Sequence, residues 1–327
     1  ELFEKMVALG FDGHPGSIMS IIEMTTALYY GGFIRPPSSG DINETDKLII
    51  SKGHASMTHY PILADLGYIP KKYWEDWGTK PSPLRVFANI SIDGIAATTG
   101  SLGHGVGVGA GYALSFKKRG LDRRVFVMIS EGELYEGSTW ESLLFAAHHK
   151  LDNLIILLDR NNLIILGDSE ECVALEPIEE KFKSFGFETR HCDGHNFADL
   201  IPSVDYICSL KSSPSCLIFN TVKGKGFSIM ENKPIWHYWN PMNEDEIEHF
   251  IKSDLTWHKP TKSFSSSENF FKILWNNALE DKTNIFQNSN FKNFKKSKLS
   301  QKDRDALEVL GLKYEAKWPD IQKKFKG

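Results

Sequence analysis

Residues 125–133 read Val-Phe-Val-Met-Ile-Ser-Glu-Gly-Glu, an apolar stretch that ends abruptly in acidic residues and glycine. Such a stretch is typical of a buried parallel strand that ends at a ligand site. Together with three similar stretches it predicts strands over Leu48–Ser51, Val125–Ser130, Leu154–Asp159 and Cys216–Thr221. Helical stretches alternate with these strands, at Ser17–Tyr30, Ser101–Lys118, Ser138–His149, Pro177–Phe185 and Phe197–Leu210. The alternation predicts an α/β fold, a three-layer doubly wound parallel sheet with helices on both faces.

Two polar side chains follow neighbouring predicted strands. Glu131 comes directly after one strand, and Asn161, thirty residues later, comes just after the next. Because ligands collect at the carboxyl ends of strands in an open α/β sheet, we expect these side chains to lie side by side. A carboxylate, an amide oxygen and a backbone carbonyl suit magnesium, which prefers oxygen ligands and bridges to phosphates. The alternative is that Glu131 caps a helix and Asn161 lies in a turn; taken alone, the two residues favour that alternative.

A glycine-rich segment spans Thr98–Gly111, and three of its glycines, Gly103, Gly107 and Gly111, recur every four residues. On a helix this spacing gives a stripe without side chains, which lets another backbone or a ligand approach closely. No strand precedes the segment and no acidic residue follows at the required distance, so it is not a dinucleotide-binding fingerprint. We expect close helix packing to explain Gly107 to Gly111.

Eight further segments accompany the two strand-end residues and occur in order over roughly residues 1–250. They are Gly13-His14-Pro15-Gly16, Ser51-Lys52-Gly53-His54-Ala55, Thr98-Thr99-Gly100-Ser101-Leu102-Gly103-His104-Gly105, Glu136-Gly137, Lys150-Leu151-Asp152-Asn153-Leu154, Asp193-Gly194-His195, Lys223-Gly224-Lys225-Gly226, and Met230-Glu231-Asn232 with Trp236-His237. In order and spacing these segments resemble transketolases, most closely the stand-alone N-terminal subunits of split transketolases. The resemblance implies a thiamine-diphosphate-binding fold.

The resemblance also implies a set of site residues. It implies that His14 faces the sugar substrate, that His54 and His237 lie by the cofactor diphosphate, and that His237 also takes part in catalysis with His14. Imidazoles suit these roles because they donate to phosphate oxygens and sugar hydroxyls, and Gly13 and Gly53 leave room beside two of them. The magnesium ligands implied are Glu131, Asn161 and Leu163. Further cofactor contacts are implied for Gly100, Leu102, Gly132, Glu133 and Asn161.

Three features depart from the family pattern. The usual Gly-Asp-Gly is Ser130-Glu131-Gly132 here, and Glu is one methylene longer than Asp. Full-length transketolases carry a substrate-binding His-Pro pair, but no histidine lies between His59 and His104. The pyrimidine-binding domain, with the glutamate that activates the cofactor, has no counterpart in this sequence. The resemblance therefore implies a hetero-oligomer with a C-terminal pyrimidine-binding subunit as the partner, and a catalytic site between the two.

Charge and composition divide the chain into segments. Residues 255–327 carry 15 Lys and Arg against 8 Asp and Glu, whereas residues 1–254 carry 23 against 34. We predict a thiamine-diphosphate-binding domain over 1–254, a linker over 255–298 and a basic, partly disordered helical tail over 299–327. The tail segment Asp305–Leu312, followed by Ile321–Phe325, resembles the start of a J-domain that stops before its His-Pro-Asp loop. The acidic body argues against nucleic-acid binding.

The remaining composition fits a cytoplasmic enzyme without a membrane span. The longest aliphatic run, Leu154–Leu158, is far too short to cross a bilayer. The four cysteines form no Cys-x-x-Cys pair and are expected to be reduced. The resemblance implies transfer of a two-carbon ketol unit from a ketose, or its phosphate, to an aldose, with thiamine diphosphate and Mg²⁺. Two alternatives stay open: a transketolase-like enzyme of surface-sugar synthesis, and a non-catalytic fragment or scaffold.

Overall fold

The computed structural model describes residues 13–35, 45–77 and 81–238. The chain divides into two compact units, one formed by residues 1–34 and 46–257, the other by residues 35–45 and 258–327. The described residues belong almost entirely to the first unit. The predicted linker and the predicted tail with its J-domain resemblance lie outside the described residues.

The first unit is built on a parallel sheet. Its strands are β1 Lys47–Ile50, β2 Val125–Ser130, β3 Leu154–Arg160, β6 Glu188–Asp193 and β7 Ser215–Asn220, and a separate antiparallel hairpin of β4 Leu163–Ile164 and β5 Gly167–Asp168 follows β3. The strand order in the sheet is β1-β2-β3-β7-β6, and every neighbouring pair is parallel. The register pairs Ser130 with Asp159 and Arg160 with Asn220, so the carboxyl ends of the three central strands lie level. The four predicted strands are confirmed to within one residue at each end.

Strand β6 was not predicted, because its sequence Glu-Thr-Arg-His-Cys-Asp is almost entirely polar. It is the last strand of the described sheet and pairs only with β7. Only Cys192 of its six side chains is buried. A strand at the edge of a sheet carries little of the core, so hydrophobic content does not reveal it.

The helices of the described residues connect and cover the strands. They are α1 Pro15–Met19, α2 Ile22–Tyr30, α3 His59–Asp65, α4 Lys71–Glu75, α5 Gly105–Lys118, α6 Gly137–His148, α7 Ser169–Cys172, α8 Ile178–Ser184 and α9 Phe197–Ser209, with 3₁₀ turns at Gly53–Thr58, Glu131–Tyr135 and Pro234–His237. None of them is long and apolar enough to span a membrane. The helix predicted over Ser17–Tyr30 is two helices, because Ser20 ends the first one and its hydroxyl donates to Asp159 on β3 (2.7 Å).

The sheet is covered on both faces, as predicted. Helices α5, α6 and α8 pack on one face, where Val127, Ile156 and Ile218 are buried in a continuous apolar core. Phe126 and Leu157 alternate with these residues and are also fully buried, so the opposite face is covered as well. Helix α9 packs against β6, β7 and α2. This arrangement gives the three layers of the predicted fold.

The glycines that allow close packing on α5 agree with the prediction only in part. A Cβ at Gly111 would have no neighbour within 4 Å, and one at Gly107 would meet only the Ser142 hydroxyl at 3.1 Å. A Cβ at Gly109 would instead lie 2.3 Å from Val127 on β2, and one at Gly105 would lie 2.2 Å from the Ser51 hydroxyl. The prediction of close packing over Gly107 to Gly111 therefore holds for Gly109 but is wrong for Gly107 and Gly111, which lie on the exposed side of the helix, while Gly105 and Gly109 face the sheet.

One buried pair makes the stability of this fold depend on pH. His59 and Tyr29 are both buried, and the imidazole Nε2 lies 2.5 Å from the phenol oxygen. Burial lowers the pKa of His59 to about 3, so this imidazole stays neutral in the folded chain while it protonates near pH 6.5 in the unfolded chain. The unfolded state then binds more protons below pH 6.5, and acid destabilises the fold.

We expect this pair to cost up to about 1.4 kcal/mol of unfolding free energy for each pH unit below 6.5. Urea unfolding at pH 7.0 and pH 5.5 measures the loss. The control is His59→Phe with Tyr29→Phe, which removes both polar partners together and leaves neither unpaired. The double variant should lose less stability than the native chain over the same interval. An equal loss in both chains would show that His59 does not contribute.

Candidate active site at the carboxyl edge of the sheet

The carboxyl ends of β1, β2, β3 and β7 bring most of the predicted site residues to one edge of the sheet. His54 follows β1, Glu131 follows β2, Asn161 follows β3 and Lys223 follows β7. His14 lies just before α1, and His237 ends the 3₁₀ turn Pro234–His237. The structure thus brings these segments together at the carboxyl edge of the sheet, where open α/β folds bind their ligands.

Two glycines allow the histidine-bearing segments to approach one another. A Cβ at Gly16 would lie 2.9 Å from the carbonyl oxygen of Trp236, and one at Gly53 would lie 2.7 Å from the backbone nitrogen of Gly100. The backbone N–H of Gly224 also donates to the carbonyl of Gly16 (3.0 Å). Any side chain at position 16 or 53 would push these backbones apart.

His14, His54 and His237 form a compact triangle at this edge. Their ring centroids are 4.9 Å apart for His14 and His54, and 5.3 Å apart for each of the other two pairs. Burial and then the charge of Lys223 lower the pKa of His14 to about 4 and that of His237 to about 3. Burial and then the charge of Lys52 hold the pKa of His54 well below its usual range. All three imidazoles are therefore neutral near pH 7, and each can donate one hydrogen bond and accept another.

Lys223 is a buried cation beside this triangle. Its side chain is 2% exposed, and its Nζ lies 3.1 Å from His237 Nδ1 and 3.5 Å from the carbonyl oxygen of Leu163. Burial and then repulsion from Lys52 lower the pKa of Lys223 to about 8. Among the described residues no carboxylate lies within 4 Å of this ammonium group. A buried charge without an ionic partner is costly, so the position calls for an anion.

The ammonium of Lys223 also fixes the protonation of His237. A charged ammonium can only donate a hydrogen bond, so Nδ1 of His237 accepts and Nε2 carries the ring proton. The segment Lys223-Gly224-Lys225-Gly226 is one of the matching segments, but the sequence did not single out this side chain. Its burial, which a Lys-Gly-Lys-Gly sequence does not reveal, marks it out from Lys225.

Asp159 is a buried carboxylate that connects several segments at the base of the site. Its carboxylate accepts hydrogen bonds from Ser20 (2.7 Å), Lys52 (2.5 Å), Asn161 (3.1 Å) and Thr221. Burial by itself raises the pKa of this carboxyl, but the charge of Lys52 and the hydrogen bonds outweigh burial and lower it. Asp159 therefore remains a carboxylate that ties the ends of β1, β3 and β7 together. The sequence analysis missed it because an Asp inside an apolar strand has no recognisable partner in the sequence.

Glu131 lies beside Asn161 and is almost completely buried, with 1% of its side chain exposed. Its Oε2 accepts a hydrogen bond from Arg160 Nη1 (2.6 Å) and one from the backbone N–H of Asn162 (3.1 Å). Its Oε1 is buried and has no hydrogen-bond partner. Burial raises the pKa of Glu131, and the ion pair with Arg160 opposes that shift. Arg160 was not predicted as a site residue.

The remaining predicted metal ligands also present oxygens here. Asn161 Oδ1 accepts the backbone N–H of Leu163 (3.1 Å), which leaves it a second lone pair. The described residues contain no group of three or more His, Cys, Asp and Glu side chains that could hold a metal ion by themselves. A cation bound here would therefore be coordinated by the carboxylate of Glu131 together with amide oxygens, backbone carbonyl oxygens and oxygens of a bound cofactor. Glu131, Asn161 and Leu163 fit magnesium, because Mg²⁺ takes one or two carboxylates and completes its shell from other oxygens.

Glu133 is tied to the protein by its side chain. Its carboxylate accepts hydrogen bonds from the Ser51 hydroxyl, from the backbone N–H of Gly103 (3.0 Å) and from the backbone N–H of Ser130 (3.0 Å). With Ser130 it forms a capping box for the 3₁₀ turn that begins at Glu131. The alternative that the acid after β2 caps a helix is thus realised, but by Glu133 and not by Glu131. Cofactor binding by Glu133 stays a prediction. Because its carboxylate is engaged within the protein, a contact with the cofactor would come from its backbone.

The predicted backbone contacts lie around the mouth of the site. Gly100 has φ +150°, and a Cβ there would lie 3.3 Å from the exposed ring of Phe87. Leu102 and Gly132 are half-buried, and a Cβ at Gly132 would make ordinary contacts with Ile164 at 3.6 Å and with the Ser130 hydroxyl at 3.7 Å. Thr99 Oγ1 and His14 Nδ1 are buried without hydrogen-bond partners. A polar ligand could complete Thr99 Oγ1 and His14 Nδ1, whereas Glu131 Oε1, a carboxylate oxygen, calls for a donor or a cation.

Three further histidines lie outside the triangle. His148 and His149 are exposed on and just after α6. His195 Nε2 accepts the backbone N–H of Val222 (2.8 Å), which ties two loops of the protein together. The four cysteines are free, and Cys172 is the exposed one.

A parallel α/β sheet whose strand ends present a buried cation, neutral imidazoles and metal-type oxygens defines a diphosphate-binding enzyme domain. A family model described as the thiamine diphosphate binding domain of transketolase matches residues 4–310. The chain therefore belongs to this family, and it is a transferase of the transketolase type that uses thiamine diphosphate.

Individual relatives are similar in sequence and length. The chain is 36% identical over 237 residues to one subunit of the apulose-4-phosphate transketolase of Actinobacillus succinogenes, a match that spans 72% of this chain and 85% of that protein. It is also 36% identical over 238 residues to the 6-deoxy-6-sulfo-D-fructose transketolase subunit SqwG of Clostridium sp., with the same coverage. The chain is thus related to the N-terminal subunits of split transketolases, as the motifs indicated.

The chain spans about half of a full-length relative. The crystal structure of transketolase from Campylobacter jejuni superposes with a TM-score of 0.73 and 25% identity, over 91% of this chain and 50% of that one. The transketolase of Pongo abelii is 30% identical over 253 residues, which is 38% of its length. The fold prediction is confirmed.

Proposed function

We propose that this chain is the diphosphate-binding subunit of a split transketolase, which transfers a two-carbon ketol unit from a ketose phosphate to an aldose phosphate. The observation that carries the proposal is the buried Lys223 ammonium, which faces the histidine triangle and lacks an ionic partner among the described residues. A diphosphate would supply the missing negative charge. Relatives that are named as single subunits of transketolases support the division into two subunits.

The cofactor would bind along the strand ends. Glu131 Oε1, Asn161 Oδ1 and the Leu163 carbonyl would hold Mg²⁺, and Lys223 with His54 and His237 would bind the diphosphate oxygens. Gly100 and Leu102 would offer backbone contacts to the rings of the cofactor. When bound, thiamine diphosphate supplies the carbon nucleophile and the electron sink for the reaction.

The protein residues would orient the sugar and hold its protons. His14 is neutral, its Nδ1 is unpaired, and Tyr238 lies 4.7 Å away between ring centroids, so the imidazole can donate to or accept from a sugar hydroxyl. His237 keeps its proton on Nε2 because Lys223 occupies Nδ1, so it would act as a hydrogen-bond donor from that atom. Both roles need neutral imidazoles, which burial supplies near pH 7.

The substrate class stays broad. Two relatives are named for apulose 4-phosphate and for 6-deoxy-6-sulfo-D-fructose, sugars that carry an anionic group. Because this chain lacks the His-Pro pair of full-length transketolases, we propose a specialised sugar, which keeps a role in surface-sugar synthesis as the second candidate. We place the reaction in the cytoplasm, since all four cysteines are free thiols.

A non-catalytic scaffold is the competing proposal, and one observation favours it. Arg160 already neutralises Glu131 inside the protein, so the fold does not need a metal ion at this position. Mg²⁺-dependent binding of thiamine diphosphate separates the two proposals, because a scaffold would not show it.

We expect the purified chain by itself to show no ketol transfer, and a mixture with a pyrimidine-binding transketolase subunit to show turnover. The reason is that the glutamate which activates the cofactor in this family lies in the pyrimidine-binding half. A coupled assay with several ketose and aldose phosphates measures the rate, and the pyrimidine-binding partner by itself is the control. Robust turnover by the isolated chain would contradict the two-subunit proposal.

A further inference from the structure

The hydrogen bonds to Glu131 are distributed unequally between its two oxygens. Oε2 accepts both donors, Arg160 Nη1 at 2.6 Å and the backbone N–H of Asn162 at 3.1 Å. Oε1 accepts none, although it is buried. Only one oxygen of the carboxylate, Oε1, is therefore left without a hydrogen-bond donor among the described residues.

Arg160 is itself held in place on its far side. Besides Glu131, its Nη1 donates to the Ser169 hydroxyl (2.8 Å), and its Nη2 donates to Glu170 (2.8 Å) and Glu176 (3.1 Å). Glu170 is fixed in turn, because it accepts the backbone N–H groups of Leu175 and Glu176. The side chain of Arg160 is 7% exposed, and its guanidinium group spans three carboxylates that a single ammonium could not hold in the same way.

We propose that Arg160 is a positioning residue that keeps Glu131 a single-oxygen metal ligand and thereby favours Mg²⁺ over Ca²⁺. The inference rests on the proposed function, since it concerns the metal ion of the cofactor site. Mg²⁺ demands near-octahedral geometry with one oxygen at each position, whereas the larger Ca²⁺ accepts both oxygens of a carboxylate. With Oε2 engaged by Arg160, Glu131 can offer only Oε1.

The length of the Glu131 side chain explains why the orientation of its carboxylate would need to be fixed by Arg160. The family has Asp at this position, and the extra methylene of Glu increases the freedom of the carboxylate to turn both oxygens toward a cation. Arg160 removes that freedom from outside the metal site. Groups that orient a metal ligand without touching the metal ion commonly change metal affinity about 10- to 100-fold when they are mutated.

The test compares two variants of the full chain that differ only at position 160. Glu170→Gln is the matched control, because Gln keeps an oxygen for the two backbone donors. The double variant Glu170→Gln with Arg160→Met also removes the guanidinium group. It loses one negative and one positive charge, so the net charge of Arg160, Glu131, Glu170 and Glu176 together keeps its native value. Both metal ions are divalent, so any remaining charge effect cancels in the ratio of their dissociation constants.

Calorimetric titration of thiamine diphosphate, with Mg²⁺ and then with Ca²⁺, gives the two dissociation constants for each variant. We expect the double variant to shift the ratio toward Ca²⁺ about tenfold relative to the control, the lower end of the range for such residues. Arg160→Lys should shift it in the same direction by less, and its result decides if the Met variant does not fold by circular dichroism. A ratio that stays constant in folded variants overturns the proposal.

The outcomes also separate this inference from the proposed function. If the native chain binds thiamine diphosphate in a metal-dependent way and the ratio does not move, only the role of Arg160 is wrong. If the native chain shows no metal-dependent binding, the proposed function fails and the role of Arg160 fails with it. A shift in thermal midpoint without a shift in the ratio would mean that Arg160 only stabilises the fold.

Discussion

Glu131→Ala should abolish Mg²⁺-dependent binding of thiamine diphosphate, with an affinity loss of about 100-fold or more, on the order of 3 kcal/mol. The substitution removes the only carboxylate among the proposed metal ligands and with it the buried, unpaired Oε1. The diphosphate charge is then left to Lys223 and the imidazoles. Calorimetric titration of thiamine diphosphate, with and without Mg²⁺, measures the effect on the full chain.

Glu131→Gln is the companion variant, because it keeps the shape of the side chain. Its amide oxygen can still accept from Arg160 and Asn162, while the amide nitrogen replaces Oε1 and repels a cation. We expect it to bind cofactor as poorly as Glu131→Ala but to unfold at nearly the native temperature. Unchanged metal-dependent binding in either variant would remove Glu131 from the metal site and weaken the interpretation of the whole signature.

Glu131→Asp would restore the residue that is usual in the family at this position. If Glu were merely too long for the site, Asp would bind as well or better. Instead, the native carboxylate reaches both Arg160 and Asn162 through one oxygen. A side chain one methylene shorter cannot keep both contacts and still present its other oxygen. We therefore expect Asp to weaken cofactor binding about tenfold, or 1.4 kcal/mol.

The fold could be predicted where burial leaves a pattern in the sequence. Strands β1, β2, β3 and β7 are continuous apolar runs because helices cover both faces of the sheet. The edge strand β6 and the short helices α3, α4 and α7 leave no such pattern. Their positions depend on contacts with distant segments, which local composition does not record.

The site could be predicted as far as the strand ends and the glycines reveal it. Glu131 and Asn161 follow from the level ends of β2 and β3, and Gly53 marks the backbone approach beside His54. The partners of those residues could not be predicted. Lys52 and Asp159 are 107 residues apart in sequence. Arg160 looks like an ordinary charged residue at the end of a strand, and only the structure shows its ion pair with Glu131. Such pairings are fixed by tertiary structure alone.

Lys223→Met should weaken binding of thiamine diphosphate about 100-fold, on the order of 3 kcal/mol, because the variant removes the buried cation that faces the diphosphate position. The apolar chain of Met fills much of the same space, so the loss reports the charge and its hydrogen bond to His237. Removing a buried ammonium that lacks a carboxylate partner should not destabilise the chain. We expect the thermal midpoint of the cofactor-free variant to match or exceed that of the native chain.

Lys225→Met is the control from the same loop. Its side chain is 41% exposed and lies 3.6 Å from Glu231, so it should bind cofactor within about twofold of the native chain, as surface ion pairs contribute little. The contrast between the two lysines separates a specific buried charge from the general positive potential of the loop. Equal losses in both variants would mean that the loop attracts the diphosphate only at long range. No loss at Lys223 would mean that its ammonium faces something other than the diphosphate, and the observation that carries the proposed function would fall.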